Sequence, residues 1–399
     1  MYIDEAALDD PARLEAGSVA DLLPQIASAG PQIRHSAVLA QESGFARLAA
    51  DGRPRALLVV GVGGAALAAD ILAAVAGPAS PVPVLGHHAH GLPGWVGVAD
   101  VVLAVSPTGT SAEVLSAVEE ADRRGARLAI VAPPDTPLAH LAAVVGAPWV
   151  PLPGARPASS VLWSLTVPLL VAARALGVLR IEGTAIEAAA VRLEDVATRC
   201  RSSSESFVNP AKTLALELAG NLPLVWGTSA VTAVAARGAV AQLAAIARYP
   251  ALAGGLPHPA HLQIGLFDGP FGAGTGAGRG VGSEPGAGIG IGSGVGRATD
   301  DLEDFFRDRA EDSEPPLRLR LVLLRDPGAE RVETIRQAEA VVAVAAERGI
   351  RVTELRAEGA DPVERLAAVL GLFDFTALYL ALALGVDPAQ TLAAHGLGH

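Results

Sequence analysis

Leu57 to Asp70 reads LLVVGVGGAALAAD, and this stretch decides the architecture. Four apolar residues run into Gly61, Gly63 and Gly64, and an alanine-rich segment follows. A strand, a glycine turn and a helix N-terminus are the parts of a phosphate-binding unit. Gly61, Gly63 and Ala66 also satisfy the spacing of a dinucleotide fingerprint. That fingerprint wants an acid about 20 residues on, ending the second strand, to hold a ribose. The second strand here ends LGHHAHG (Leu85–Gly91), with no acid. The loop is therefore read as a seat for some other phosphate.

The next strand strengthens that reading. VVLAVSPTGTSAEVLSAVEEA (Val101–Ala121) places Ser106, Thr108, Thr110 and Ser111 between a strand and a helix. Backbone N–H groups at a helix start, joined by hydroxyls, bind a phosphate dianion without a lysine. The alternative is helix capping alone, with Ser111 as cap and Glu113 in the first turn. Two such loops on neighbouring strands favour an anion site made of Gly63, Gly64, Ser106, Thr108, Thr110 and Ser111.

Working outward, Ala56–Gly61, Pro81–Gly86, Val101–Ser106, Arg127–Ala132 and Pro148–Pro153 read as strands. Helices near Ala65–Ala76, Ser111–Arg124 and Ser159–Leu176 alternate with them. Short continuous apolar runs suit a parallel sheet covered on both faces. The theme returns less regularly later. A helix is expected around Ile186–Cys200, another at Asn209–Gly220, a strand at Leu222–Ser229 and a helical run to about Arg248. Leu317–Asp326, Ile350–Ala357 and a long helix from Pro362 to Leu384 complete a second unit. The expected division is an N-terminal helical segment (1–50), a first α/β domain (51–180) and a second (181–399). A glycine-rich insertion (269–297) and an acidic segment (300–314) interrupt the second domain and offer no apolar face to bury.

Composition limits the function. The 399 residues are 51% hydrophobic and 18% charged, with a formal charge of −12. A net negative chain disfavours nucleic acid and anionic lipid as partners. One cysteine, Cys200, excludes an internal disulfide and a cysteine-based zinc site. The three histidines His87, His88 and His90 are split across the faces of a strand end, so a solvated turn is expected there rather than a metal site. The acidic start MYIDEAALDD lacks an apolar signal core, and a cytoplasmic protein is expected. The best membrane candidate, Val161–Leu179, is interrupted by Ser164, Thr166, Pro168 and Arg174 and reads as a core helix.

GVGGAALAAD paired with VSPTGTSAE resembles the sugar isomerase (SIS) domain. LPGWVG (Leu92–Gly97), NPAKTLALELAGNLPLVWGTSAV (Asn209–Val231), LVLLRDPG (Leu321–Gly328) and DFTALYLALALGVDP (Asp374–Pro388) follow in order. Together they resemble the bifunctional phosphoglucose/phosphomannose isomerase family. The resemblance implies two doubly wound, flavodoxin-like SIS subdomains and a homodimer. It also implies conversion of glucose 6-phosphate or mannose 6-phosphate to fructose 6-phosphate, with no metal and no cofactor.

Such an isomerisation needs a ring-opening group, a carboxylate that carries a proton between C1 and C2, and positive charge on the enediolate. Ala241–Gly269 resembles the family's catalytic segment without a gap. Gln242, Ala247, Pro250, Ala251 and His261 match its pattern. His261 is thereby the ring-opening residue, and Arg156 in GARPASSV is matched to the enediolate-stabilising arginine. The family's catalytic glutamate falls on Ala245, the second acid on Gln263 and the first-loop serine on Ala65. The family's lysine near the C-terminus is missing from TLAAHGLGH. Two readings stand: an isomerase with a displaced carboxylate (Glu205, Glu217 and Asp268 being the candidates), or a sugar-phosphate-binding sensor or partner subunit that has lost the chemistry.

Overall fold

Leu57–Val60 (β1) is buried on both faces, as its unbroken apolar run demands. Alternate side chains go to opposite sides of a strand. Leu57 and Val59 enter one core, and Leu58 and Val60 another. The computed structural model describes residues 3–153, 161–272 and 317–388. Arg156, residues 273–297 of the insertion, the acidic segment 300–314 and the terminal TLAAHGLGH lie outside the described residues.

The chain opens with α1 (Pro11–Leu14), α2 (Gly17–Ala27) and α3 (Ala29–Glu42). The first α/β unit then runs β1, α4 (Gly64–Ala76), β2 (Val84–His87), β3 (Val101–Val105), α5 (Ala112–Arg123), β4 (Arg127–Ala132), α6 (Pro137–Val145), β5 (Trp149–Pro151) and α7 (Leu162–Ala175). Its five strands are parallel in the order β2-β1-β3-β4-β5. The second unit follows as α8 (Gly183–Arg199), α9 (Pro210–Leu218), β6 (Asn221–Gly227), α10 (Ala230–Ile246), β7 (Leu252–Gly255) and the short α11 (Pro259–Leu262). After the undescribed stretch come β8 (Arg318–Arg325), α12 (Val332–Glu347), β9 (Arg351–Arg356) and α13 (Pro362–Ala383). Its strands are also parallel, ordered β7-β6-β8-β9. The fold is two doubly wound parallel-sheet subdomains, as the alternation of elements implied.

Three cores hold these layers. A large central one takes one face of each sheet, Val59 and Val105 from the first and Val225 and Val322 from the second. It encloses α4, α7, α8, α10 and α13. The far face of the first sheet packs on α5 and α6 through Val114, Val118 and Leu138. The far face of the second packs on α12 through Ala338 and Val341.

The N-terminal segment is fastened to the second unit. Lys212, the chain's only lysine, is fully buried on α9. It donates to Asp9 Oδ1 (2.9 Å) and to the carbonyls of Ser202 (2.9 Å) and Ser204 (2.8 Å). All three ammonium protons are thus used.

Two sequence expectations change. β2 is an edge strand and is not covered on both faces. Among the described residues the helix long and apolar enough to span a membrane is α13, with a mean hydropathy of 2.0, and α7 has only 14 residues. The apolar window of α13 is 89% buried inside the protein, so its hydropathy reflects a core helix.

Candidate functional site

β1 leads to β2 on one side of the first sheet, while β3 lies on the other side of β1. Strand order therefore reverses between β1 and β3, the place where open α/β sheets bind ligands at their carboxyl ends. Both loops singled out in the sequence sit there. Glycine is obligatory in the first. A Cβ at Gly61 would lie 2.6 Å from Ala65 Cβ and 3.1 Å from the Val105 carbonyl. Only a glycine lets the loop pass so close to β3. Gly63 has φ +59, and a Cβ on it would meet nothing within 4 Å. It starts α4 without any side-chain cap, and the Ala65 and Ala66 N–H groups turn back to the Val62 and Gly63 carbonyls at 3.2 and 3.1 Å.

The second loop is shaped by its own hydroxyls. Buried Ser106 accepts the Gly109 N–H at 2.9 Å. Thr108 and Thr110 are exposed, and the Thr110 hydroxyl donates to Thr108 Oγ1 at 3.0 Å. Ser111 occupies the cap position of α5 but makes no capping bond. Its hydroxyl donates instead to Glu113 Oε2 at 2.8 Å. Glu113 is held below the usual carboxylate range, first by its own backbone N–H and then by Ser111. The capping alternative thus fails in its simple form: Ser111 serves a carboxylate, and Gly63, Thr108 and Thr110 are exposed.

Of the residues matched to catalysis, Ala245, His261 and Gln263 lie in the other unit. Ala245 is exposed near the end of α10, and His261 is exposed on α11. Gln263 faces inward, accepting the Trp226 Nε1–H at 2.9 Å and donating to the Ala253 carbonyl at 3.3 Å. It fastens α11 to β6 and β7 and leaves His261 outside. None of the candidate replacement carboxylates is a free base beside Ala245. Glu217 is bound by Arg320 (2.6 Å) and Thr353 (2.7 Å) at the amino ends of the strands. Asp268 is paired with Arg348 at 2.7 Å, which lowers its pKa. Glu205 is exposed in the loop before α9.

The second sheet has its own reversal point, between β6 and β8, and it is filled from within. Gly227 mirrors Gly61, since a Cβ there would lie 2.3 Å from the Ala233 nitrogen. Thr228 donates to Glu330 and Ser229 to Asp326, both at 2.6 Å. Arg325 pairs with Glu330 at 2.8 Å and Arg365 with Asp326 at 3.0 Å. Arg325 is the first cause that holds Glu330 down to about 2. Asp326 and Glu330 thus fill this reversal point with protein carboxylates. A cavity of about 350 Å³ between α8, β9 and α13, lined by Arg199, Cys200 and Arg356, touches none of the candidate residues.

The histidine turn was read in the sequence as solvated, and His88 and His90 are exposed. It also adjoins both loops. His88 Nδ1 lies 2.6 Å from the Gly61 carbonyl, and His90 Nε2 lies 3.9 Å from Glu113 Oε1. Strand adjacency could have found it, because β2 neighbours β1.

Two doubly wound parallel-sheet subdomains are the SIS-type fold, and solved structures share it. Tagatose-6-phosphate ketose/aldose isomerase from Escherichia coli superposes with a TM-score of 0.63 at 13% identity, over 96% of this chain and 99% of that one. A hypothetical protein from Thermus thermophilus gives 0.61 at 16% identity, over 96% and 90%. Residues 207–397 match the bacterial phospho-glucose isomerase C-terminal SIS domain. The bifunctional phosphoglucose/phosphomannose isomerase of Caldicellulosiruptor bescii is 28% identical over 196 residues, which are 49% of this chain and 57% of that protein. The match thus spans little more than half the length of that relative. The chain is thus similar to the bifunctional phosphoglucose/phosphomannose isomerase family over about half of its length.

Proposed function

We propose that the chain is a phosphosugar isomerase-type protein whose first subdomain holds the phosphate of a hexose 6-phosphate. The observation that carries this is the start of α4 at Gly63, which has no side-chain cap, beside the hydroxyl loop of β3, at the reversal point of the first sheet. The second reversal point is occupied by Asp326 and Glu330, which leaves the first as the open anion seat. The reaction that fits the family is aldose–ketose isomerisation of glucose or mannose 6-phosphate to fructose 6-phosphate. His261 opens the ring and Arg156 steadies the enediolate in this reading, within a homodimer.

Turnover is low, because Ala245 stands where the base belongs. Loss of a positioned general base costs on the order of 10²–10⁴ in rate. One observation favours the binding-only alternative: Glu217 and Asp268 are both committed to arginines. A coupled assay with each hexose 6-phosphate, run beside a thermal scan with the same ligands, tests both. Ligand-induced stabilisation with slow or absent isomerisation is expected. Neither stabilisation nor turnover with any of the three sugars would remove the sugar-phosphate reading.

A further inference from the structure

No lysine or arginine occurs in Gly61–Ala66 or Ser106–Ser111. The crevice nevertheless has to hold a dianion, and Glu113 already places a carboxylate at the start of α5. We propose that the turn after β2 is the cationic wall of this crevice, with His88 and His90 as the residues that admit the phosphate. The inference rests on the sugar-phosphate reading above and names the charge that this reading lacks.

The geometry is built rather than incidental. His87 pins the turn, its Nε2 lying 2.9 Å from the Gly91 carbonyl. His88 lies across β2 and meets the Gly61 carbonyl, so its Nδ1 carries the proton in that contact. A Cβ at Gly86 would come within 3.0 Å of His88 Nε2, so glycine is what lets the ring lie flat against the strand. His90 reaches α5, with Nδ1 3.5 Å from Ser116 Oγ and Nε2 3.9 Å from Glu113 Oε1. Ser116 in turn accepts the Gly91 N–H at 3.0 Å.

Other charged groups around the turn are already engaged. Glu120 accepts the Leu92 N–H at 2.7 Å and pairs with Arg123 and Arg124. Asp70 on α4 is paired with Arg237 at 2.9 Å. Glu113 therefore remains the acid that His90 faces. Imidazole gains its charge between about pH 5 and 8. A protonated His90 offsets Glu113, which otherwise repels the incoming phosphate at the α5 N-terminus. A protonated His88 adds positive charge beside Gly61.

The test is calorimetric titration with glucose 6-phosphate at about pH 6 and about pH 8, on the wild type and on the double variant His88→Asn with His90→Gln. The second ionisation of the ligand, near pH 6, is common to both proteins and cancels in their ratio. Exposed charge contacts are individually weak. The double variant should therefore bind about three- to tenfold more weakly near pH 6, and within about twofold of wild type near pH 8. Gly86→Ala, which displaces the His88 ring without removing it, should reproduce part of the low-pH deficit. Equal binding near pH 6, or the same deficit at both pH values, overturns the inference and leaves the sugar-phosphate reading standing. Absence of wild-type binding at both pH values overturns both.

Discussion

Asp374 lies in the middle of α13, and its environment fixes a measurable pH dependence. It is 8% exposed, and its Oδ1 has no hydrogen-bond partner. Burial pushes its carboxyl from 3.8 to about 8, offset only in part by a hydrogen bond with Gln242 on α10. The folded protein therefore keeps a proton that the unfolded chain releases. The stabilising contribution is complete below about pH 4 and is lost as pH rises through about 8. Each pH unit in that window is worth about 1.4 kcal/mol, so the whole range is about 6 kcal/mol. Asn at this position can keep the contact with Gln242 and has nothing to ionise. Asp374→Asn should be close to wild type near pH 4 and more stable by roughly 2–4 kcal/mol near pH 7. Urea unfolding of both proteins at several pH values from about 4 to 8 reads the difference directly. A difference that stays flat across that range would show that Asp374 does not carry a buried proton.

The other expectations concern the second switch point, the buried lysine and the empty base position. Glu330 is held down to about 2 from 4.5, so its contribution of about 3 kcal/mol is present above pH 4.5 and fades as pH falls toward 2. Glu330→Gln should remove this acid sensitivity in an unfolding series. Lys212→Met leaves Asp9 and two carbonyls without their donor, and should cost about 3 kcal/mol in denaturant unfolding; a loss under about 1 kcal/mol would refute the strapping role. Ala245→Glu adds a carboxylate at an exposed helical position, so folding should be unaffected. Turnover of glucose 6-phosphate in a coupled assay should rise by about 10² or more.

Much of the fold was legible because strands covered on both faces need continuous apolar runs. Val101–Val105 and Arg127–Ala132 were readable for that reason. Leu252–Gly255 was not, since two glycines and an exposed Leu252 give a short edge strand no pattern. The two strand-to-helix loops at the first reversal point were legible from glycines and hydroxyls at strand ends. The allocation of their donors was not, because the Ser111 to Glu113 bond depends on a side-chain choice that spacing leaves open. The histidine turn was set aside for a related reason. Residues on one strand look divergent along the sequence, yet a neighbouring strand end brings a second loop beside them.

The two halves carry the same device in opposite states. Gly61 and Gly227 both close a strand onto a following helix, and a hydroxyl-bearing or glycine loop begins each helix. At the second, Ser229 caps α10 through Thr232 and holds Asp326, while Thr228 holds Glu330. A phosphate arriving there would displace two carboxylates from two hydroxyl hydrogen bonds and two arginine pairs. At the first, the carboxylate present is Glu113, which is partly exposed and shares its crevice with imidazoles that can neutralise it. Removing a screened surface charge by protonating a neighbour is far easier than emptying a buried network. The asymmetry between the switch points therefore follows from where each carboxylate sits, and the buried network at the second serves cohesion of β6, β8 and α13.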